Sequence, residues 1–365
     1  MQGLHLVGNE SKFIIPQARY LSEVDVGRKN RYLFVIGKTH EHYNIIKQLP
    51  NAILIDTTNI DRLPKFVALP LMYLLTWYNL IVYSNMASKI YLHGIFDIKV
   101  MIFYGLFRKY DHKLCWIIWG GGDVYPEGFI NKFSPLKYFD KRVKNNIHNY
   151  LTYIESDFLL CKNLYNSKAT RTNFLAYESN CLGRAGEISE KKKGKPTSLT
   201  VLLGNSADPA NCHIDALDWL DSNSSVIKEL IIPFSYGSKP WRANYRNELC
   251  AKIPLNLRSK VTFLDDFMPY TKYIQLLNTV DAAVMPHLRQ QGMGNLIQLV
   301  NLKTTIYLNQ NNDVCNYFRD IGVKIQTIGS QLKLADDSVL THNLLSIRKF
   351  HSWATYETQV KDILL

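Results

Sequence analysis

Several chemical signatures are missing from this 365-residue sequence. It contains no Asp-x-Asp motif, so nothing signals a Mg²⁺ or Mn²⁺ ion held by paired carboxylates. It also lacks GxxxxGK[ST] and GxSxG, the markers of P-loop kinases and of α/β-hydrolases. We therefore expect a protein that belongs to neither class and that works without a metal or another cofactor.

The cysteines and the first residues also lack a recognisable arrangement. The six cysteines form no CxxC pair and no His/Cys cluster with zinc spacing, which indicates a reduced, cytosolic compartment. The start, MQGLHLVGNE, has no basic residues followed by an apolar run, so we expect no signal peptide. Acidic residues are outnumbered, and the formal net charge is +12. This excess is spread along the chain, which favours an anionic nucleotide or lipid over a nucleic acid read by one basic face.

The order of apolar and polar segments predicts an α/β fold. Short β-branched runs alternate with helical patterns, and a polar, Gly/Pro-marked segment at 186–198 separates two parts. We predict a GT-B type arrangement of two Rossmann-like domains, residues 1–190 and 191–345, facing across a cleft at the carboxyl ends of their strands. Residues 346–365 are predicted to form a helix that could pack back on the first domain. The predicted strands are Leu4–Val7, Tyr32–Ile36, Ala52–Ile55, Lys89–Leu92, Cys115–Trp119, Phe158–Leu160, Leu199–Leu203, Glu229–Ile232, Val261–Phe263, Ala282–Val284 and Thr305–Leu308.

One apolar run is long enough to raise the question of a membrane. Residues 66–83 read FVALPLMYLLTWYNLIVY, about the length of a spanning helix. Pro70, Thr76 and Asn79 interrupt the run, and its Trp, Tyr and Phe residues favour membrane interfaces over bilayer centres. Three interpretations stay open: a buried core helix, a helix inserted in a membrane surface, and a true span.

The segment from Arg289 to Asn295 has the pattern of a strand, a Gly-rich turn and a helix start. Such a helix start presents unpaired N–H groups and the positive end of a dipole, and Gly292 and Gly294 allow a ligand to approach the backbone. Arg289 adds a cation that could hold a diphosphate and stabilise the charge on it as it leaves. The alternative is an ordinary α/β turn with a solvated Arg.

A second polar turn, from Gly204 to His213, follows the first predicted strand of the second part. Asn205 and Ser206 could donate hydrogen bonds to a phosphate or a sugar, whereas Asp208 could simply cap the next helix. In the first part, three glycines precede Asp123, which is our first candidate for a general base on an acceptor hydroxyl. His93, after another strand, is the second candidate base, although a structural histidine is the commoner outcome.

These segments together resemble glycosyltransferase family 56, which includes the TDP-N-acetylfucosamine:lipid II N-acetylfucosaminyltransferase activity of enterobacterial common antigen synthesis. The resemblance keeps the same order over most of residues 90–310. Its blocks are His93-Gly94-x-Phe96, Trp119-Gly120 to Asp123-x-Tyr125, Gly204-Asn205-Ser206-x-Asp208-x-x-Asn211-x-His213-Ile214, Ile232-Pro233, Tyr236 and Arg289-Gln290-Gln291-Gly292-x-Gly294.

The resemblance implies a GT-B fold that binds the donor mostly in the second domain and the acceptor mostly in the first. It implies transfer of a 4-acetamido-4,6-dideoxyhexose such as N-acetylfucosamine from dTDP to an undecaprenyl-diphosphate-linked saccharide of enterobacterial common antigen, O-antigen or capsule. With the turns above, it gives a catalytic set of Asp123, His93 and Arg289. The donor-binding set is Gly204, Asn205, Ser206, Asp208, His213, Tyr236, Arg289, Gln290, Gln291, Gly292, Gly294 and Asn295.

Two other functions stay open at this stage: a glycosyltransferase of the same fold that uses a UDP- or GDP-sugar, and a basic, non-catalytic membrane scaffold. The polyprenyl chain of the implied acceptor cannot leave the bilayer. We therefore expect peripheral attachment to the cytoplasmic face of the bacterial inner membrane, and no nucleic-acid partner.

Overall fold

The computed structural model describes residues 1–7, 11–124, 134–183, 196–235 and 239–365. The chain forms two compact units, Met1–Ser179 together with Tyr356–Leu365, and Asn180–Thr355. The change of unit therefore comes earlier than residue 190, where the sequence places it. Most of the linker at 186–198 lies outside the described residues.

The first unit is built on a sheet of seven strands, all paired in parallel. The strand order is β3-β2-β1-β4-β5-β6-β7, so the direction of winding reverses between β1 and β4. The strands are β1 Gly3–Val7, β2 Asn30–Ile36, β3 Ala52–Asp56, β4 Lys89–His93, β5 Leu114–Ile117, β6 Asn149–Leu151 and β7 Thr170–Thr172. Helices that pack on this sheet cover it, which agrees with the near-continuous apolar residues of β1 and β5.

The helices of the first unit come between consecutive strands, as parallel pairing requires. They are α1 Ser11–Val24, α2 Tyr43–Lys47, α3 Lys65–Met86, α4 Ile98–Leu106, α5 Ser134–Asn146 and α6 Glu155–Leu164. Helix α4 begins at an Asp97 cap, whose side chain accepts a hydrogen bond from the backbone N–H of Lys99.

The second unit repeats this plan with six parallel strands. Their order is β10-β9-β8-β11-β12-β13, so the winding reverses between β8 and β11. The strands are β8 Leu199–Leu203, β9 Ile227–Pro233, β10 Val261–Leu264, β11 Ala282–Met285, β12 Thr305–Leu308 and β13 Gln326–Thr327. Its helices are α7 Leu217–Ser222, α8 Lys239–Lys252, α9 Leu255–Arg258, α10 Tyr270–Leu277, α11 Met293–Asn301, α12 Val314–Asp320 and α13 Asp337–His351. A last helix, α14 Trp353–Leu364, begins in the second unit and continues into the first.

The C-terminal segment is two helices rather than the single helix expected over 346–365. Ser352 is extended, and its hydroxyl accepts from the backbone N–H of Thr355, so it ends α13 and caps α14. The last residues belong to the first unit. There, the side chains of Gln2, Asn30 and Tyr91 donate to three carbonyl groups at the end of the chain, which a helix end otherwise leaves unpaired.

The predicted strand Phe158–Leu160 is wrong. These residues lie in α6, where Phe158 and Cys161 are buried on one face of the helix. A short apolar run has no periodicity that separates a strand from a buried helical turn. The short strands β6, β7 and β13 are absent from the prediction because two or three residues give no pattern.

Helix α3 is not a core helix. By length and composition it is apolar enough to cross a membrane, yet only 17% of an apolar 18-residue stretch of the helix is buried inside the protein. Its buried residues are Thr76, Asn79, Leu80 and Ser84, whereas Phe66 is 80% exposed and Leu74 is 66% exposed. The interpretation of this run as a buried core helix is therefore wrong for most of its apolar side chains.

Candidate functional site

The polar turns singled out in the sequence follow strands at, or next to, the points where the winding reverses. In the second unit, the turn at Gly204 follows β8 and the turn at Arg289 follows β11, and these strands are neighbours. In the first unit, His93 ends β4, one of the two strands at the reversal, and Asp123 lies beyond β5, the next strand along the sheet. The carboxyl edge at such a reversal is where open α/β sheets bind ligands.

The turn after β8 is held by its own side chains. Asn211 accepts from the backbone N–H of Asn205 at 2.8 Å and donates to the hydroxyl of Ser206 at 2.8 Å. Asp208 caps the short helical turn that follows, accepting from the backbone N–H of Ala210 at 2.9 Å. Ser206 and Asp208, both predicted to bind donor, are thus engaged in shaping this turn.

Two glycines bring this turn against the start of α11. Gly204 has a φ of +69°, and a Cβ there would clash with Nε2 of His213. Gly292, the residue that precedes α11, has a φ of +64°, and a Cβ there would lie 2.8 Å from Cγ of Asn205. Both positions therefore require glycine for conformation and for space. Their packing places the Asn205 amide directly beside the N-terminus of α11.

Four buried side-chain atoms in these turns have no hydrogen-bond partner within the part of the chain that the structure describes. They are Oδ1 of Asn205, Nε2 of His213, Nε2 of His287 and Oε1 of Gln291. His213 and His287 are fully buried. A buried polar atom without a partner costs about 1–3 kcal/mol, so such a concentration beside a helix N-terminus indicates a ligand site.

His287 is a site residue that the sequence analysis missed. It follows β11 directly, after Pro286, and no motif marks it. Asn312 orients its ring: Oδ1 of Asn312 accepts from the backbone N–H of Val314, so Nδ2 is the donor and gives a 2.5 Å hydrogen bond to Nδ1 of His287. The proton of the neutral imidazole is then on Nε2, which is the unpartnered atom.

His213 presents an N–H group in the same way. The hydroxyl of Tyr245 lies 3.0 Å from Nδ1 of His213, and when it donates its proton to Nδ1 the ring proton is on Nε2, the unpartnered atom. Burial lowers the pKa of His213 to about 3 and the pKa of His287 to about 4, so both rings are neutral near pH 7. The site therefore offers two uncharged, preorganised N–H donors.

The remaining predicted donor-binding residues occupy the turn and the first turn of α11. Arg289 is half-buried and close enough to His287 and Cys212 to affect the pKa of each. Gln290 is half-buried in the turn, and Gly294 lies in the first turn of the helix. Asn295 contacts the hydroxyl of Tyr273. Tyr236 lies outside the described residues.

The structure corrects the expected role of Asp123. Its carboxylate is buried, and both oxygens accept hydrogen bonds: from the backbone N–H of Ile95 at 2.7 Å, from the indole of Trp116 at 2.8 Å and from the backbone N–H of Trp119 at 3.1 Å. Burial raises its pKa, and the nearby Lys144 opposes that rise. A buried carboxylate with both oxygens hydrogen-bonded in this way anchors the loops after β4 and β5, which is a structural role rather than that of a base on a substrate hydroxyl.

His93, the second candidate base, is also enclosed. Its Nε2 lies 2.9 Å from Nδ1 of His5, and its Nδ1 lies 2.7 Å from the hydroxyl of Tyr177. Burial moves its pKa well below the usual value. Both ring nitrogens are thus taken by protein groups, and the structure assigns His93 to a buried hydrogen-bond network rather than to proton transfer with a substrate.

The carboxylates, imidazoles and thiols do not gather into a recognisable metal centre. Within residues 1–7, 11–124, 134–183, 196–235 and 239–365, no group of three or more His, Cys, Asp or Glu side chains is placed to hold an ion.

Buried neutral histidines give the protein an acid-sensitive stability. Burial lowers the pKa of five histidines: to about 3 for His5 and His213, to about 4 for His287 and His351, and well below the usual value for His93. Between pH 6.5 and about 4, the unfolded chain binds more protons than the folded chain, so the free energy of unfolding falls as the pH falls. Each histidine contributes at most about 1.4 kcal/mol per pH unit.

We therefore expect the free energy of unfolding to fall by several kcal/mol from about pH 7 to about pH 5.5. Denaturant titrations at the two pH values measure the difference. Equal unfolding midpoints would show that these histidines are not buried in the neutral form.

The comparisons with known proteins identify the family and agree with the fold. The family model described as 4-alpha-L-fucosyltransferase, glycosyl transferase group 56, matches residues 79–344. The fold is similar to that of Anabaena HepE solved with UDP and glucose (11% identity, TM-score 0.63, 100% of this chain and 99% of that chain). It is also similar to the sucrose-phosphate synthase of Thermosynechococcus elongatus (12% identity, TM-score 0.63, 100% of this chain and 98% of that chain). A glycosyltransferase of Rickettsia africae is similar as well (11% identity, TM-score 0.60, 99% of this chain and 97% of that chain).

Proposed function

The chain belongs to glycosyl transferase group 56 and is a glycosyltransferase of the GT-B fold, and on this basis we propose its substrates. The donor is a dTDP-linked 4-acetamido-4,6-dideoxyhexose, and the acceptor is a saccharide carried on undecaprenyl diphosphate during synthesis of a bacterial surface polysaccharide. The family supports sugar transfer, and the chemistry of the two turns in the second unit supports an anionic donor.

One observation carries the donor proposal: the polar groups gathered at the two turns of the second unit fall into two chemical kinds. The N–H groups of His213 and His287, the guanidinium of Arg289 and the start of α11 are all donors or positive, which suits a diphosphate. The unpartnered atoms of Asn205 and Gln291 are acceptors, which suits hydroxyl or amide groups of a sugar. HepE, of similar fold, was solved with UDP and glucose, which is consistent with this assignment.

These donors would act on the charge that forms during transfer. An acceptor hydroxyl attacks the anomeric carbon and gives up its proton to water, the bond from that carbon to the diphosphate oxygen breaks, and the diphosphate leaves with the electron pair. Arg289 and the two imidazole N–H groups stabilise that growing negative charge without rearranging, because packing already fixes the two rings. This set of donors makes a metal unnecessary for holding the leaving group.

Transfer from a panel of dTDP-, UDP- and GDP-sugars to a prenyl-diphosphate-linked acceptor, in excess EDTA, tests the proposal. We expect turnover with the dTDP-linked 4-acetamido-4,6-dideoxyhexose, unaffected by EDTA. Preference for a UDP- or GDP-sugar would show that the proposed dTDP-linked donor is wrong. Activity lost in EDTA and restored by Mg²⁺ or Mn²⁺ would overturn the metal-free site.

We also propose that the first unit docks on the inner face of the bacterial membrane through α3. One face of α3 is tied to the unit: Trp77 donates to the carbonyl of Lys99, and Ser84 hydrogen-bonds Tyr104. A helix packed in this way cannot be surrounded by lipid, so it would lie along the membrane surface with its exposed apolar side inserted. Arg62 and Lys65, both exposed beside its start, would attract anionic lipid.

Replacing Phe66, Leu74 and Tyr78 with Ser should release the protein from membranes without unfolding it. All three are highly exposed, so their loss removes little internal packing. A large apolar side chain contributes about 1.5–3 kcal/mol when fully buried, so the membrane-bound fraction should fall more than about tenfold. Co-sedimentation with anionic vesicles measures it.

The matched control is Leu255→Ser with Phe267→Ser, two exposed apolar residues of the second unit, which should sediment like the wild type. Undiminished sedimentation of the α3 variant would contradict the docking surface.

A further inference from the structure

Three aromatic rings from separate elements meet at the carboxyl edge of the first sheet. Phe13 lies in α1, Phe96 follows β4 and Trp119 follows β5. The ring of Trp119 is 5.4 Å from that of Phe13 and 5.9 Å from that of Phe96, both edge-on. Phe96 is 39% exposed and Trp119 is half-buried. The cluster thus presents apolar ring surface at the edge where the first sheet would bind a ligand.

A continuous hydrogen-bond chain fixes the indole of Trp119. Its Nε1 donates to the hydroxyl of Tyr177 at 2.7 Å, and that hydroxyl lies 2.7 Å from Nδ1 of His93. Nε2 of His93 is 2.9 Å from Nδ1 of His5. Nε2 of His5 is 3.4 Å from Oδ1 of Asn30, whose Nδ2 donates to Asp25 and to the carbonyl of Leu364.

Only one arrangement of protons satisfies this chain. The Asn30 amide nitrogen already donates, so its oxygen accepts from Nε2 of His5. Nδ1 of His5 must then accept from Nε2 of His93, and Nδ1 of His93 must accept from Tyr177. Tyr177 is left to accept from Trp119, as its geometry shows. His5, His93 and Tyr177 are all neutral in this chain, because burial lowers the pKa of the two histidines and raises the pKa of the tyrosine.

We propose that Trp119, with Phe96 beside it, is the platform on which a pyranose ring of the acceptor saccharide stacks. The buried chain from Asn30 to Tyr177 consists of positioning residues that hold the indole in place. An aromatic face suits the apolar C–H face of a sugar, and a preset ring loses little conformational entropy on binding. This inference rests on the proposed function, because it takes the acceptor to be a saccharide.

Steady-state kinetics of Trp119→Ala and Phe96→Ala test the platform. The acceptor is a short-chain prenyl-diphosphate disaccharide, and dTDP affinity and donor KM are measured in parallel. Trp119→Ala should raise acceptor KM about tenfold, with donor KM and dTDP affinity unchanged. Phe96→Ala, at an exposed position, should raise acceptor KM severalfold even if Trp119→Ala fails to fold. An unchanged acceptor KM in Phe96→Ala, or a raised donor KM in either variant, overturns the proposal.

The positioning chain needs a separate readout. Tyr177→Phe and Trp119→Phe each remove one partner of the same hydrogen bond, so each should raise acceptor KM by a similar, smaller factor with kcat unchanged. The double variant should be no worse than either single variant, because the interaction is already lost. Multiplicative effects would show that the hydrogen bond does not hold the indole. If the wild-type protein fails to bind dTDP, the proposed function fails instead, independently of these variants.

Discussion

Arg289→Ala is expected to lower kcat about 10²- to 10³-fold with little change in stability. Arg289 lies in the turn before α11, beside His287 and the α11 N-terminus, where the charge of a departing diphosphate would develop. Removal of one preorganised group at developing charge has an effect of this size. Because Arg289 is only half-buried, the fold should tolerate the loss, which a thermal unfolding curve would check.

Arg319→Ala is the matched control, since it removes an exposed arginine of the same unit. It should turn over at the wild-type rate. Normal kcat in a folded Arg289→Ala variant would show that the diphosphate does not bind at this turn. Failure of that variant to fold would make Arg289 a structural residue.

Asp123→Asn is expected to destabilise the protein by on the order of 3 kcal/mol. The carboxylate accepts from three N–H groups, two of them on one oxygen. An amide of the same shape offers one acceptor oxygen and turns an N–H₂ group toward a donor. It therefore leaves buried N–H groups unpaired and loosens the loops after β4 and β5 together. Chemical denaturation measures the change.

Asp362→Asn, at an exposed position of the same unit, should leave the stability of the protein unchanged. The two roles considered for Asp123 give opposite results. An anchor loses stability in the Asn variant, whereas a general base would lose turnover in a protein of normal stability. The second outcome would contradict the role that the structure gives this residue.

The pattern of strands and helices could be predicted because the central strands are mostly apolar runs. Strands β1, β4 and β8 were placed within a residue or so, and the turns after them follow directly. The elements that failed carried little pattern. Edge strand β7 has three residues, and Phe158–Leu160 is apolar in a way that suits strand and helix equally. The break at Ser352 depends on a cap and on packing, which hydrophobic periodicity does not record.

The sequence predicted the parts of the candidate site that a glycine-rich turn marks. It missed the parts that depend only on packing between residues far apart in the chain. Gly292 is visible in the sequence as a Gly-rich turn, and the structure gives it a positive φ beside Asn205. His287 carries no motif; it becomes a site residue because Asn312, far along the chain, fixes its tautomer. Asp123 was a plausible base by type and position. Its three donors come from Ile95, Trp116 and Trp119, and the contact with Ile95 requires β4 and β5 to be neighbours.

The most direct test of the donor site is the affinity of the full-length protein for dTDP, measured by calorimetry in the wild type and in His287→Ala. The imidazole N–H would lose a hydrogen bond to a charged group, worth about 1.5–3 kcal/mol, so affinity should fall about 10- to 100-fold. His342→Ala, at an exposed histidine of the same unit, should bind like the wild type. Equal dTDP affinity in His287→Ala and the wild type would contradict the assignment of the diphosphate to this pocket.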